Sequence, residues 1–418
     1  MAAATVHLGA QTNTLTLGEA RRLALERNWD LLAARSGMEA AAAQLLMARE
    51  FPNPNLSAAS TKIGDRENST PTGNGVWARS YDTVFAVNQL VEIGGKRRDR
   101  QEAARAGVLG AQAQFLDAKR LLDQGVIKAY AAALLAGESE RVLHASAGYM
   151  RHEQEIAETR FHAGDVSEAD LKQIQVAAEQ YVLQETAAEA AAVQARTAME
   201  VLLGVPQPAG RWQPADSLAE VVDGLAPETA APTNGLRPDV LAAQTAVRAA
   251  EENLKLQKAE RIPDPTFALQ YEHNPPGGGP PVDTIGLGIS FPLPIWNQNK
   301  GAIHAAQAAV DQARLALAKL RAQMAGDVVN ATAASREAAG RLARYRDQIS
   351  PQSAAARAAV AFKFEKGGAT LVDLLEAERT DNDVRLATAQ AQADTASTAA
   401  DLAAARAAVT ETEAAATK

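Results

Sequence analysis

Apolar and polar positions follow two different periods along this chain. Residues from Arg97 to about Arg160, and from Ala302 to about Phe364 apart from Pro351, are rich in the helix-forming Ala, Leu, Gln, Glu and Arg. Each stretch has roughly 60 residues, or about 90 Å at 1.5 Å per residue. Because a helix of that length cannot be buried in one globular domain, the pattern predicts long helices that pack against partner helices.

Four shorter segments alternate with period 2 instead. In the second half, Phe, Leu and Tyr of one segment fall on one face while Ala, Gln and Glu fall on the other. The pattern predicts strands with one apolar face, more weakly in the first half. The predicted strands are Leu56–Lys62, Asp82–Asn88, Phe267–His273 and Thr284–Ser290, joined by loops at Ile63–Ser80 and Asn274–Val282.

Such strands leave an apolar face and unpaired edges that need a partner. Apolar-out, small-or-polar-in alternation is typical of outer-membrane barrel strands, although these segments are short for that role. The alternative is two ordinary hairpins packed on the helices. The combination of two hairpins with very long helices favours strands from several copies closing one barrel, with the helices forming a tube.

The chain also repeats itself. Arg160–Leu171 aligns with Lys363–Leu374 at an offset of 203, and Phe51–Pro54 aligns with Ile262–Pro265 at an offset of 211. Each half reads as a helix, a Pro-x-Pro break, a strand pair, a very long helix, a glycine turn and a second long helix. The predicted organisation is a first repeat at 15–204, a Pro-rich linker at 205–236, a second repeat at 237–408 and a disordered tail at 409–418.

Composition and charge exclude several classes of protein. The 418 residues carry a formal net charge of −8 and no cysteine, which argues against nucleic-acid binding and excludes disulfides, thiolate metal sites and cysteine nucleophiles. The sequence has no phosphate-binding loop, dinucleotide fingerprint or nucleophile elbow, so we expect no enzyme. It has no apolar run of helical membrane-span length, and its N-terminus lacks the charged and apolar regions of a signal peptide.

Several short motifs, in this order and duplicated, resemble the TolC-like outer-membrane efflux proteins. They are Leu17-Gly18-Glu19-Ala20, both Pro-x-Pro breaks, Glu92-Ile93-Gly94-Gly95-Lys96-Arg97 and Gly367-Gly368-Ala369-Thr370-Leu371-Val372-Asp373-Leu374. The resemblance extends from about Leu15 to Ala408. The stretch Phe291-Pro292-Leu293-Pro294-Ile295-Trp296-Asn297-Gln298-Asn299-Lys300-Gly301 resembles the heavy-metal branch, the cobalt–zinc–cadmium efflux outer-membrane subunit.

The resemblance implies a mainly α fold with a small β part, in which duplicated helix hairpins of a homotrimer form an α-barrel in the periplasm. Four strands per chain would form a shared 12-stranded barrel in outer-membrane lipid, and the linker would form an equatorial region. It also implies a periplasmic adaptor (membrane fusion) protein, an inner-membrane RND-type proton-driven pump, no cofactor, and a precursor whose signal peptide is absent here. The function implied is passive export. Export of drugs or proteins, or a soluble coiled-coil scaffold, are the alternatives.

The resemblance also places functional residues. Asp373 and Glu376 match carboxylates that line the periplasmic aperture, and Asp170 is the first-repeat counterpart of Asp373. Threefold symmetry would make each a ring of carboxylates, in which like charges raise one another's pKa and concentrate cations. The alternative is a solvated acidic helix face. Ala369 stands where the family often has a basic residue, so the gating contacts of the family are not carried over.

Two glycine turns would form the tips of the helix hairpins, which meet the adaptor in this family. They contain Gly164, Asp165, Gly367 and Gly368, and glycine permits the left-handed conformation that ends a helix. A purely structural turn is compatible with that role. None of the six histidines forms a His-x-x-x-His pair, so no metal site is predicted. His162, at a predicted tip, is either a transient contact for passing ions or a plain surface residue.

Overall fold

The computed structural model describes residues 14–60, 83–225, 236–274 and 282–417. These residues form two compact units, each assembled from several parts of the chain. Of the described residues, the helical unit contains those within 14–36, 113–239 and 320–417, and the strand unit contains those within 37–112 and 240–319. Each unit therefore takes residues from both predicted repeats.

Long helices dominate the fold, as predicted. Helix α3 alone has 68 residues, or about 102 Å at 1.5 Å per residue. Its alanine-rich sequence contains no proline, so nothing interrupts the backbone hydrogen bonds. The helices are α1 (Leu17–Arg27), α2 (Trp29–Arg49), α3 (Lys96–Ala163), α4 (Glu168–Leu202), α5 (Leu218–Gly224), α6 (Pro238–Ala259), α7 (Lys300–Arg344), α8 (Ser350–Glu365), α9 (Leu371–Arg406) and α10 (Glu411–Ala416).

The long helix of the second half is interrupted where Pro351 lies. A single π-helical turn, Tyr345–Ile349, separates α7 from α8. Proline has no N–H to donate, and its ring would collide with the carbonyl of residue 347 in a regular helix. The wider turn relieves this collision, and the N–H of Ser350 donates to the carbonyl of Tyr345 instead.

In the helical unit, small side chains and two aromatic rings form the core. Alanines of α1, α3 and α9 are buried together with Met199 of α4, and the rings of Tyr130 and Trp212 pack edge to face at 5.4 Å. Strands β1 (Thr14–Leu15) and β4 (Gln213–Pro214) pair in parallel next to this core. The Tyr130 hydroxyl oxygen lies 2.9 Å from the carbonyl oxygen of Leu15 and 2.8 Å from a carboxylate oxygen of Asp216, and its single proton is donated between these two acceptors.

Glu200 organises the segment that follows α4. Glu200 is 5% exposed, and its carboxylate accepts hydrogen bonds from four consecutive backbone N–H groups, those of Ala209, Gly210, Arg211 and Trp212. Burial alone would raise the pKa of Glu200, but the four N–H groups outweigh it and lower the pKa. A buried carboxylate thus stays charged and fixes the start of the inter-repeat linker.

The C-terminal segment corrects one expectation from the sequence. Residues 409–418 were expected to be disordered, but the described part contains α10, which begins with a reciprocal cap between Thr410 and Glu413. The backbones of Leu236 and Val409 pair as an isolated bridge, and Ala414 is buried. Backbone pairing and a buried alanine anchor this short segment despite its polar composition.

The strand unit contains one four-stranded antiparallel sheet. Its order is β2–β3–β5–β6, so β2 and β6 are the edges. The strands are β2 (Asn55–Ser60), β3 (Thr83–Leu90), β5 (Thr266–Asn274) and β6 (Val282–Ser290). Asn274 and Val282 pair with each other and belong to strands, which corrects the predicted loop at its two ends. Residues 275–281 of that loop, the loop 63–80 and the predicted strand ends at 61, 62 and 82 lie outside the described residues.

Candidate functional site

The two predicted turns share one backbone geometry. Gly164, with φ of +85°, follows α3, and the N–H of Asp165 donates to the carbonyl of Arg160 at 2.9 Å. Gly367, with φ of +72°, follows α8, and the N–H of Gly368 donates to the carbonyl of Lys363 at 2.8 Å. Both are Schellman turns, which require the left-handed conformation that glycine adopts without a side-chain penalty. The internal repeat therefore extends to the hydrogen bonds of the turns.

A hydroxyl residue caps the helix after each turn. In the first repeat, the Ser167 hydroxyl donates to the Asp170 carboxylate at 2.7 Å, and the N–H of Asp170 donates back at 3.1 Å. In the second, the Thr370 hydroxyl and N–H both donate to the Asp373 carboxylate, at 2.7 and 2.8 Å. Two of the predicted aperture carboxylates, Asp170 and Asp373, are thus also capping residues of α4 and α9.

Capping changes the acidity of Asp373. Hydrogen bonds from the Thr370 side chain and backbone lower the pKa of Asp373. The sequence led us to expect mutual repulsion to raise this pKa; within one chain, the cap acts in the opposite direction. The carboxylate is exposed to solvent and remains ionised at neutral pH.

Asp373 and Glu376 lie together on an open groove between α8 and α9. Basic residues from α8, Arg357 and Lys363, line the same groove. Asp170 belongs to the other turn, at the start of α4. The structure therefore brings two of the three predicted aperture carboxylates onto one surface and gives them cationic neighbours.

One turn further along α9 is an ion-pair network that the sequence did not reveal. Asp381 is 2% exposed and Glu378 is also buried. Arg357 of α8 contacts Glu378 at 3.0 Å and Asp381 at 3.2 Å, and Arg385 contacts Asp381 at 2.8 Å. The Asp381–Arg385 spacing of four is a helical ion-pair signal, but nothing in the sequence indicates that these acids are buried.

Asn382, the residue that follows Asp381, makes separate polar contacts to helices of the first repeat. The Ser146 hydroxyl of α3 donates to the Asn382 side-chain carbonyl at 2.9 Å, and the Asn382 amide donates to the Tyr181 hydroxyl of α4 at 3.4 Å. Polar contacts therefore join α9 to both α3 and α4 within the helical unit. The arrangement restrains α9 next to the groove that holds Asp373 and Glu376.

Metal ligation receives no support within the described residues. They contain no group of three or more His, Cys, Asp or Glu side chains placed to hold a metal ion. His162 is exposed at the first turn, with its ring 5.9 Å from that of Phe161. Across the same described ranges, no helix combines the length and apolar character needed to cross a membrane.

The sheet presents a continuous exposed apolar face. Leu56, Val87, Leu269 and Leu287 lie opposite one another in register across all four strands, and Leu56 and Leu287 are 73% and 87% exposed. A second apolar row contains Ala58, Phe85, Tyr271 and Ile285. A soluble monomer rarely exposes so many large apolar side chains together.

A polar row ends this apolar face on one side. Ser60 and Thr83 contact each other through their hydroxyls at 3.0 Å. In the same row, His273 contacts Asp283 at 2.7 Å. The opposite face of the sheet has a small or polar row instead, formed by Ser57, Ala86, Gln270 and Gly286. The alternation predicted from the sequence is confirmed, with polar residues marking one end of the apolar face.

Comparison with known proteins agrees with this architecture. The sequence profile of the family described as "Outer membrane efflux protein" matches residues 20–205 and 234–408. The cobalt-zinc-cadmium resistance protein CzcC of Cupriavidus metallidurans is 26% identical over 369 residues, covering 88% of this chain and 84% of that protein.

Solved structures share the fold at lower identity. The Campylobacter jejuni CmeC outer membrane channel superposes with a TM-score of 0.75 at 18% identity, over 93% of this chain and 85% of that one. A membrane protein from Pseudomonas aeruginosa superposes with a TM-score of 0.74 at 20% identity, over 97% and 96% of the two chains. At these identities the likeness shows the fold alone.

Proposed function

Because the chain belongs to the outer membrane efflux protein family, we propose that it is the outer-membrane duct of a tripartite efflux pump whose cargo is divalent heavy-metal cations such as cobalt, zinc and cadmium. In this proposal the duct is a passive conduit and performs no catalysis. The family match decides against the alternative of a soluble coiled-coil scaffold.

The observation that carries the proposal is the unpartnered sheet. Its edge strands, β2 and β6, lack a neighbour within the described residues, and one face is apolar and exposed. Edge-to-edge pairing of three copies satisfies both edges and closes a 12-stranded barrel, three copies of four strands. The apolar face then contacts outer-membrane lipid, and the small or polar face lines the lumen.

The helices form the periplasmic part of the duct in this proposal. Long α3–α4 and α8–α9 hairpins from three copies close an α-barrel, and the linker lies at its equator. Gly164, Asp165, Gly367 and Gly368 form the hairpin tips that contact a periplasmic adaptor. An inner-membrane RND-type proton-driven pump completes the assembly and supplies the energy, since the duct contains no nucleotide-binding motif.

The carboxylates near the turns form a cation-attracting aperture. Asp373 and Glu376 share an exposed groove at the start of α9, and Asp170 occupies the equivalent position on α4. Threefold symmetry repeats each carboxylate around the axis, and a ring of fixed negative charge favours cations over anions. Arg357 and Lys363 on the same groove moderate this field.

The metal cargo is supported by the relative whose name records cobalt, zinc and cadmium resistance. Deleting the gene for this chain from its host should lower the concentrations of these three ions that the cells tolerate, and should leave tolerance to lipophilic drugs unchanged. Restoring the native chain should recover tolerance. A deletion that affects only drug tolerance would reject the metal cargo and retain the duct, while one that affects neither would reject efflux.

A further inference from the structure

The apolar face of the sheet continues past the end of its last strand. Ile285, Leu287 and Ile289 lie on this face of β6, which ends at Ser290. The next alternate residues are also apolar and more than half exposed, and Trp296 after them is 93% exposed. These residues, Phe291, Leu293, Ile295 and Trp296, belong to what we call the 291–296 segment.

Proline prevents this segment from being a further stretch of sheet. Pro292 and Pro294 have no N–H to donate to a neighbouring strand. The N–H of Ile295 donates instead to the carbonyl of Leu293 at 2.9 Å, which closes a tight turn around Pro294. The segment thus extends the apolar surface without extending the hydrogen-bonded ladder.

The residues that follow β3 at the same end of the sheet are also apolar and exposed. The N–H of Val91 donates to the carbonyl of Pro265 at 2.9 Å, so backbone pairing continues one residue beyond the ends of β3 and β5. Val91 and Ile93 are both exposed. The extension of the apolar face therefore occurs at both strand exits of this end of the sheet and is not confined to one loop.

The height of the apolar face explains the need for an extension. On β6 the apolar positions run only from Ile285 to Ile289, about 13 Å at 3.3 Å per residue. A strand tilt of about 40° reduces this to roughly 10 Å of membrane depth, against the apolar band of about 25 Å on outer-membrane barrels. Continuing to Leu293 gives about 26 Å along the chain and roughly 20 Å of depth.

We propose that the 291–296 segment is a membrane anchor that inserts into the periplasmic interface of the outer membrane. Phe291 and Leu293 contact the edge of the hydrocarbon, and Trp296 lies at the level of the phospholipid headgroups. An indole ring suits that level because it has a large apolar body and one N–H that donates to polar headgroups. This inference rests on the proposed outer-membrane duct.

Lipid fits this surface better than a second copy of the chain does. Neighbouring copies join at the edges β2 and β6, in the plane of the sheet. Phe291 and Leu293 instead continue the alternation of Ile285, Leu287 and Ile289, which occupy the broad face. The exposed Ile295 and Trp296 follow at the turn. A surface that continues the lipid-facing side of the sheet is expected to contact lipid as well.

Site-directed spin labelling tests the anchor directly, because the native chain has no cysteine. Three single-cysteine variants are compared as folded protein in phosphatidylcholine vesicles: Leu293→Cys in the segment, Leu287→Cys on the sheet face and Glu155→Cys on α3. The side chain of Glu155 is 78% exposed and serves as the aqueous control. Collision rates with oxygen, which concentrates in lipid, and with a water-soluble nickel chelate report the depth of each label.

The anchor predicts that the label at 293 collides more with oxygen and less with the nickel chelate than the label at 155. Its depth should be shallower than that of the label at 287. A lipid signal at 287 with a water signal at 293 overturns the anchor and leaves the duct intact. A label at 293 shielded from both reagents overturns it in favour of a contact between copies. Water signals at both 287 and 293 overturn the duct and the anchor together.

Discussion

Thr370 and Asp373 hold each other at the start of α9. The Thr370 hydroxyl donates to the Asp373 carboxylate at 2.7 Å, while the N–H of Asp373 donates to the Thr370 oxygen at 3.3 Å. The pair caps the first turn of α9, which begins the second arm of the second hairpin, and it also fixes the position of a negative charge. A single capping contact therefore links the fold of the tip to the charge of the proposed aperture.

This contact predicts how cation selectivity depends on pH. The pKa of Asp373 lies below its ordinary value of 3.8, so the carboxylate is charged above that value and loses charge only as pH falls through the lowered pKa. In a Glu376→Gln background, Thr370→Val should shift the loss of selectivity to higher pH, because the hydroxyl no longer favours the charged form. Reversal potentials across a pH series measure this shift.

The matched control for that series is Thr380→Val, an exposed threonine on the same helix that also lines the groove. It should leave the pH profile unchanged. Identical profiles for Thr370→Val and its parent would show that the cap does not set the charge of Asp373.

The Glu200 carboxylate should be a major determinant of stability. Glu200→Gln replaces one carboxylate oxygen with an NH₂ group and leaves two part-buried backbone N–H groups without their acceptor, at a cost on the order of 2 kcal/mol. Glu189→Gln, at an exposed position on α4, is the control and should cost little. Thermal unfolding of the detergent-solubilised proteins compares them. Equal midpoints would refute the structural role of the four N–H contacts.

Low pH should reduce the contribution of Glu200 to the free energy of unfolding. Since the pKa of Glu200 is lowered in the folded state, its contribution to stability is present above the unfolded pKa and is lost as pH falls through the folded pKa. The stability gap between native protein and Glu200→Gln should therefore narrow on acidification. A gap that stays constant from neutral pH to strongly acidic pH would contradict this account.

The Arg357 network should hold the α8–α9 hairpin closed. Arg357→Ala removes the guanidinium that contacts both buried carboxylates, Glu378 and Asp381. Asp381 keeps its ion pair with Arg385. The cost should be about 2 kcal/mol, below the 3–5 typical of fully buried pairs, since Arg357 is partly exposed. Amide hydrogen exchange in α8 and α9 should accelerate. Arg336→Ala, on an exposed position of α7, should not have this effect, and equal exchange in the two variants would exclude a restraining role.

The unpaired edge strands of the sheet predict that the protein is a trimer. Light scattering of the detergent-solubilised protein should give a protein mass of three chains of 44.0 kDa each. A monomer or dimer that retains native secondary structure would contradict the shared barrel. The prediction follows from β2 and β6, which need partners on their free sides.

The sequence predicts the helices and strands well because their signals are local. The absence of proline marks α3, alternation marks β5 and β6, and Gly164 and Gly367 mark the two turns. Burial of Glu378 and Asp381 was not predictable, since the face that a carboxylate occupies depends on helices far away in the chain. The same holds for Glu200, whose four N–H donors come from a linker without a pattern of its own.

Single-channel recording in a planar bilayer tests the duct most directly. Native protein should form cation-selective channels, and Asp373→Asn with Glu376→Gln should weaken that selectivity while retaining the channel; Asp383→Asn, an exposed position further along α9, should leave it unchanged. Selectivity identical in all three proteins would contradict the acidic aperture. A correctly assembled protein that never conducts, even when Arg357→Ala loosens the hairpin, would contradict the duct itself.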